Sequence, residues 1–270
     1  MASKSPSSMS SLRSMQSMRR GVAYVLGGGG GGGGGGGRLY LQPSGLVNGF
    51  PWPLLRGPAF LPTLLASGSD SGLVPLAPDG SSDPTAAEMA DVVERYYEVL
   101  DENNQGVIGM GENDTGATFA GIGEPTFRLD EICDAARIIH ERRHGVPLRL
   151  VTTMLPADVG GADDVAQRIA DARISDVTIN LCAENPKAFQ TCTDALVEQY
   201  TLENPNEAKH AVPVPTDAFA NICALIEALS TRGVAVECCA VEAPGASTAN
   251  TRALAEALGA TSFRTRSYHP

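Results

Sequence analysis

Cysteine and acidic residues are missing from the N-terminal part of the chain. No cysteine precedes Cys133, and no aspartate or glutamate precedes Asp70. The six cysteines form no Cys-x-x-Cys pair, and all fall in predicted strands or helices. This usage is typical of buried thiols in a reduced compartment, cytoplasmic or organellar, and not of a disulfide framework. No run of about 18 apolar residues occurs, so the sequence predicts no membrane span.

Composition and net charge limit the kind of protein and the kind of partner that can be expected. The chain is 43% hydrophobic and carries a net charge of −11 over 270 residues. The hydrophobic content is sufficient for a globular core. The acidic balance, with no basic patch in the predicted folded region, argues against nucleic acid as a partner. A small-molecule ligand is the expected partner, and the sequence identifies no protein partner.

Residues 1–37 are predicted to be a disordered extension. Met1 to Arg20 is rich in Ser, Met and Arg and has no acid, which fits either a mitochondrial or plastid transit peptide or a plain disordered tail. Gly27 to Gly37 is an unbroken glycine run that predicts a flexible segment. A phosphate loop is disfavoured because the run exits into Arg38-Leu39 and not into Lys-Ser or Lys-Thr.

Residues 38–270 alternate between strand and helix patterns. Alternation at this spacing predicts parallel strands joined by right-handed crossovers, and therefore an α/β fold of the six-stranded partial (β/α) TIM-type barrel kind. A doubly wound open sheet is the alternative. Residues 43–82, dense in Pro, Gly and Ser, are predicted to form a long irregular loop. The predicted strands are Arg38–Gln42, Ala117–Ala120, Leu148–Thr153, Val177–Cys182, Val234–Val241 and Thr261–Arg266; the predicted helices are 83–100, 130–144, 162–172, 186–199, 217–231 and 248–258.

The most informative stretch runs from Thr118 to Asp130. A short apolar strand leads into a turn whose Gly121 and Gly123 have no Cβ, which would let a ligand approach the backbone. Pro125 disfavours helix at Glu124 and predicts an extended residue there. Glu124 is thus expected to present a carboxylate at the carboxyl end of a strand, where α/β sheets bind ligands. The alternative is a turn that only ends a strand and caps a helix.

With the predicted strands and helices in this order, the chain resembles the radical S-adenosylmethionine superfamily from about Arg38 to Tyr268. Gly121-Ile122-Gly123-Glu124-Pro125-Thr126 is similar to that family's G-G-E-P motif after strand two. The resemblance implies that Glu124 and the backbone around the two glycines receive the methionine ammonium of the cofactor. Weaker similarities imply contacts from Thr152, at a strand end that often reads T-N-G, from Asn180, to the ribose or carboxylate, and from the strand-five exit 240–245, along the adenine.

The resemblance fails at the motif that binds iron. The family holds a [4Fe–4S] cluster with CxxxCxxC after strand one, because cluster iron needs thiolate ligands. The three positions fall near Val47, Pro51 and Leu54 in this chain. Either the protein is a relative that has lost the cluster, or the N-terminal gene model is damaged.

Three functional hypotheses follow. The chain is a radical-SAM-like protein that binds S-adenosylmethionine or a related nucleotide without cleaving it, that is, a pseudoenzyme. Alternatively it is a non-catalytic structural or interaction protein on the same barrel, with a strand-one loop, including Phe50 or Trp52, folded into the mouth. The third possibility is a true radical enzyme with a misannotated N-terminus.

Two other patterns are interpreted as structural, and no metal site is predicted. His140-Glu141-Arg142-Arg143-His144 matches H-E-x-x-H, but two arginines interrupt it and Gly145 and Pro147 end the helix. A solvated helix C-terminus, where His and Arg complement the dipole, is the preferred interpretation. Cys238-Cys239 lies within a strand, so the two side chains point to opposite faces and cannot share a metal.

Overall fold

The structure of the protein is a computed structural model. It describes residues 21–26, 38–47, 56–57, 59–66, 73–102, 116–153, 160–203, 205–206, 208–242 and 247–269. Two of the three positions expected for cluster ligands, Pro51 and Leu54, lie outside these residues, as do Phe50, Trp52 and most of the N-terminal extension.

Seven strands and seven helices make up the described part of the chain. Strands form where short apolar or β-branched runs lie between glycine or proline breakers, and helices form where apolar residues recur every three or four positions. The strands are β1 Ala23–Leu26, β2 Arg38–Leu41, β3 Ala117–Phe119, β4 Leu148–Thr152, β5 Asp176–Asn180, β6 Ala235–Val241 and β7 Ser262–Arg266. The helices are α1 Phe60–Ala66, α2 Ala86–Glu102, α3 Leu129–Arg142, α4 Ala162–Asp171, α5 Pro186–Glu203, α6 Ala218–Thr231 and α7 Thr248–Ala257, with 3₁₀ turns at Pro125–Arg128 and Ala208–His210.

The strands form one sheet in chain order, β1 to β7. Each pair from β2–β3 to β6–β7 is parallel, and β1 pairs with β2 in the antiparallel sense. The α/β class and the parallel pairing predicted from the alternation are confirmed. The order contains no reversal among these strands, so it lacks the switch point of a doubly wound sheet. The sheet is not closed into a barrel by any pairing between described strands.

The two faces of the sheet differ in polarity. Alternate residues on one face, such as Leu150, Ile179 and Val236, are fully buried in the main core against the helices. Several of their neighbours along the strands carry polar groups and are half-buried, among them Arg149, Thr178 and Glu237. Since the period of a strand is two, this places an apolar layer on the helix side and a polar layer on the other.

Two segments differ from the sequence-based prediction. Ala23–Leu26, within the extension predicted to be disordered, forms β1 along the edge of β2. Its alternating pattern puts Val22 and Tyr24 into buried positions, and the Tyr24 ring stacks on Tyr40 with centroids 5.0 Å apart. Phe60–Ala66, within the predicted irregular loop, forms α1.

Candidate functional site

The Gly-x-Gly-Glu-Pro turn lies at the carboxyl end of β3. Glu124 has φ −82° and ψ 115°, the extended conformation predicted from the following proline. Pro125 then begins a 3₁₀ turn that leads directly into α3. The Glu124 side chain is only 4% exposed, so its carboxylate lies inside the protein.

The Glu124 carboxylate accepts hydrogen bonds from two elements. Its Oε1 accepts from the Thr126 amide (3.1 Å), the Thr126 hydroxyl (2.6 Å) and the Thr152 hydroxyl (2.6 Å). Its Oε2 accepts from the Thr153 amide (2.9 Å) and the Thr153 hydroxyl (2.7 Å). Glu124 therefore caps its own 3₁₀ turn and ties that turn to the end of β4. Thr126 and Thr153 were missed as partners, although a threonine two residues after a helix-capping acid and a Thr-Thr pair at a strand end are patterns that favour such bonds.

The network continues to β5. The Asn180 side-chain amide donates to the Thr152 carbonyl oxygen at 3.2 Å, and Asn180 is 7% exposed. Three predicted site residues, Glu124, Thr152 and Asn180, are thus brought together across the ends of β3, β4 and β5. Adjacent parallel strands end at the same edge of a sheet, which is why these three residues were predicted from the sequence to lie near one another.

The two glycines of the turn are explained by contacts within the chain. A Cβ on Gly123 would lie 2.3 Å from the Ser44 carbonyl oxygen, and one on Gly121 would lie 3.2 Å from Cγ of Gln42. The Glu124 amide donates to the Leu46 carbonyl oxygen at 2.8 Å. The segment after β2 therefore packs directly on this turn, and the absence of side chains on the two glycines makes room for that segment and not, as predicted from the sequence, for a ligand.

A small cavity remains beside the turn. It is lined by Gly121, Ile122, Gly123, Glu124, Pro125, Val151 and Thr153. Its volume is about 10 Å³, roughly the room that one water molecule needs by this measure. A ligand larger than water would have to displace neighbouring groups to enter it.

Val47, the expected cluster position that lies within the described residues, is apolar. Val47 is 4% exposed and packs against Ala208 and Ala211. Its carbonyl oxygen accepts from the Val212 amide at 2.9 Å. A hydrocarbon side chain held in this way cannot ligate iron, so the residues present do not fit a [4Fe–4S] cluster.

The H-E-x-x-H pattern has no metal geometry. α3 ends at Arg142, so His144 lies beyond the helix and does not share a face with His140. His140 Nε2 lies 3.3 Å from the Arg173 carbonyl oxygen, and Glu141 is paired with Arg137 at 3.0 Å. Within the described ranges, no group of three or more His, Cys, Asp or Glu side chains is arranged to hold a metal ion. The helix-terminus interpretation accounts for these residues.

Two further predictions concern the adjacent cysteines Cys238 and Cys239 and the strand-five exit. Cys238 lies in the core on the helix side, and Cys239 accepts a hydrogen bond from Arg266 Nε at 3.1 Å on the other side. Residues 243–246 of the strand-five exit lie outside the described residues. Among the helices that are described, none is both long enough and apolar enough to cross a membrane.

A scan against protein-family models and a search of curated proteins both found no match to this chain.

Proposed function

We propose that the sheet is a partial barrel of the radical-SAM-like kind. Six parallel strands in chain order, β2 to β7, are the arrangement that a singly wound (β/α) barrel requires. The packing of the helices on one face of the sheet supports the same interpretation, because the helices of a (β/α) barrel form an outer ring. The antiparallel β1 is an addition at one edge.

On this fold, we propose that the protein binds S-adenosylmethionine or a related nucleotide without radical cleavage. The observation that carries the proposal is the hydrogen-bonded line from Glu124 through Thr152 to Asn180. It joins three neighbouring strand ends at the edge where α/β proteins bind ligands. No reaction step through an iron–sulfur cluster is proposed, since no cysteine precedes Cys133 and Val47 occupies one of the three positions.

The role of Glu124 in this proposal is positioning. A carboxylate offers about four lone-pair sites, and five protein donors already converge on this one. The ligand would instead contact the groups around the cavity, such as Gly123, Val151 and Thr153, and would reach Asn180 on the next strand, which donates to the Thr152 carbonyl oxygen. Because the cavity admits about one water molecule, binding would require the rim to open.

A second candidate is a non-catalytic structural or interaction protein on the same fold. Two observations favour it: the carboxylate is fully occupied by internal donors, and the segment Ser44–Leu46 packs on Gly123. Both observations give the turn a structural role, in which it holds the strand ends together. In this case no nucleotide binds, and the fold is retained for its surface.

Titration calorimetry of the full chain with S-adenosylmethionine distinguishes the two candidates. The first candidate predicts saturable binding heat from the wild type. In Asn180→Ala the affinity should be weaker by about tenfold or more, that is by at least about 1.4 kcal/mol. Gln190→Ala is the matched control, since it removes an amide from the exposed surface of α5. Absence of heat from folded protein at millimolar ligand would support the second candidate. Anaerobic treatment with iron and sulfide is expected to give no cluster absorption, and a stable cluster would contradict both.

A further inference from the structure

Two arginines lie at the carboxyl end of β7, two strands beyond β5, where the Glu124 network ends. Arg266 is the last residue of β7, and its side chain lies on the polar face of the sheet, where its Nε donates to Cys239 Sγ at 3.1 Å. Arg56 Nε donates to the carbonyl oxygen of Ser267, the next residue along, at 3.0 Å. The Arg56 side chain therefore lies beside the end of β7, close enough for the charge of Arg266 to act on its guanidinium, although 210 positions separate the two residues in the chain.

The position of Arg56 is fixed from several directions. Its guanidinium carbon lies 4.4 Å from the centroid of the Phe60 ring. Its Nη2 lies 3.1 Å from His269 Nε2, which must accept because a guanidinium only donates. The His269 amide donates to the Arg56 carbonyl oxygen at 2.7 Å. Both Arg56 and Arg266 are half-buried, so little side-chain freedom remains to be lost on binding a ligand.

The charge of this pair is not compensated within the described residues. Neither Arg56 nor Arg266 forms an ion pair with a described acid, whereas the nearby Arg264 is bound to Glu237 through its Nε at 3.0 Å. Glu242 follows β6 and its amide donates to the Arg266 carbonyl oxygen, but its exposed side chain forms no ion pair with either arginine. Burial lowers the pKa of the Arg56 guanidinium, and the charge of Arg266 lowers it further. Two like charges are thus held together in a protein whose net charge is −11.

We propose that Arg56 and Arg266 form a binding site for the phosphate group of a small ligand. The N–H groups that are not used in the bonds above have no acceptor among the described residues, and guanidinium forks match the oxygens of phosphate in pairs. A phosphate monoester carries a charge of about −1.5 to −2 at pH 7, which compensates two guanidinium groups, whereas one carboxylate compensates only one. The site does not depend on the function proposed for the Glu124 edge.

Inorganic phosphate is the probe for this proposal. Calorimetric titration of the full chain at low ionic strength is expected to show saturable binding. Arg266→Gln and Arg56→Gln are each expected to weaken it about tenfold or more, that is by at least about 1.4 kcal/mol. Arg266→Lys keeps the charge without the fork and is expected to bind with intermediate affinity.

The control is Arg149→Gln, which removes the same charge from the same polar face. Arg149 lies near the amino end of the middle strand β4, 3.8 Å from Asp176. It is expected to leave the affinity within about twofold, or about 0.4 kcal/mol, of the wild type. Circular dichroism establishes that each variant is folded, and Arg266→Lys replaces Arg266→Gln if the latter is not. Absence of saturable phosphate binding by folded wild type would overturn the proposal, as would equal weakening by Arg149→Gln. Succinate that binds more tightly than phosphate through the same arginines would overturn the phosphate assignment.

Discussion

Replacing Glu124 with alanine is expected to destabilise the whole fold. The carboxylate is the common acceptor for the amides and hydroxyls of Thr126 and Thr153 and for the hydroxyl of Thr152. The hydroxyls can rotate towards other acceptors, but the two backbone amides are fixed by the 3₁₀ turn and by the end of β4. Both amides belong to buried or nearly buried residues.

The magnitude follows from these two amides. A buried donor left without an acceptor costs about 1–3 kcal/mol, so the pair costs about 2–6 kcal/mol. The alanine variant no longer buries a carboxyl group, which returns part of this cost. We therefore expect a loss of about 2–4 kcal/mol in the free energy of unfolding, a large share of the roughly 5–15 kcal/mol typical of native proteins.

Urea unfolding followed by far-UV circular dichroism measures the effect. With an m-value of about 3 kcal/mol/M, the midpoint should fall by about 1 M. Glu242→Ala is the matched control, because Glu242 also follows a parallel strand but is exposed, and its change should stay within about 0.5 kcal/mol. Glu124→Gln keeps one acceptor oxygen and should recover only part of the loss. Equal midpoints for Glu124→Ala and Glu242→Ala would refute the view that this carboxylate joins the strand ends.

Three further predictions test other parts of the structure. Gly123→Ala should lower the melting temperature, because its Cβ would clash with a carbonyl oxygen 2.3 Å away, whereas Gly161→Ala, which meets open space, should change it little. Burial lowers the pKa of His140, so the folded state disfavours its charged form. The free energy of unfolding should therefore fall as the pH drops from about 6.5 through this lower pKa. Urea unfolding at a series of pH values measures this fall, and His140→Gln should reduce it. A hydrogen bond from a neighbouring thiol lowers the pKa of Cys192, whereas burial raises that of Cys238 to about 12; iodoacetamide should therefore label Cys192 first in a mass-spectrometric time course, and equal rates would contradict this assignment.

The fold was predictable because its signals are local and repeated. Each of the six parallel strands lies within two residues of its predicted range, since each is a short apolar run between breakers. The strand order followed from the alternation with helices. β1 could not be predicted in the same way, because a four-residue strand beside a glycine run gains its stability from pairing with β2 and not from its own pattern.

Part of the hydrogen-bonded network was predictable, but Thr126, Thr153 and the direction of the Glu124 side chain were not. Glu124, Thr152 and Asn180 were expected at one edge and are joined there by hydrogen bonds. The extended backbone at Glu124 followed from Pro125. Whether the carboxylate faced a ligand or the protein depended on Thr153 and on the segment after β2, and neither contact is encoded by spacing along the chain.

A carboxylate at this position has one of two roles, and its donors decide between them. With about four lone-pair sites and five protein donors within 3.1 Å, Glu124 can accept a ligand ammonium only if one of the three threonines releases it. Release by Thr152 or Thr153 would separate the ends of β3 and β4, and release by Thr126 would remove the cap of the 3₁₀ turn, so ligand affinity and fold stability would depend on the same bonds. A nucleotide that binds at this edge while Glu124 keeps these partners must be held by the backbone and by Asn180. For that reason Asn180→Ala, and not Glu124→Ala, separates binding from stability in this protein.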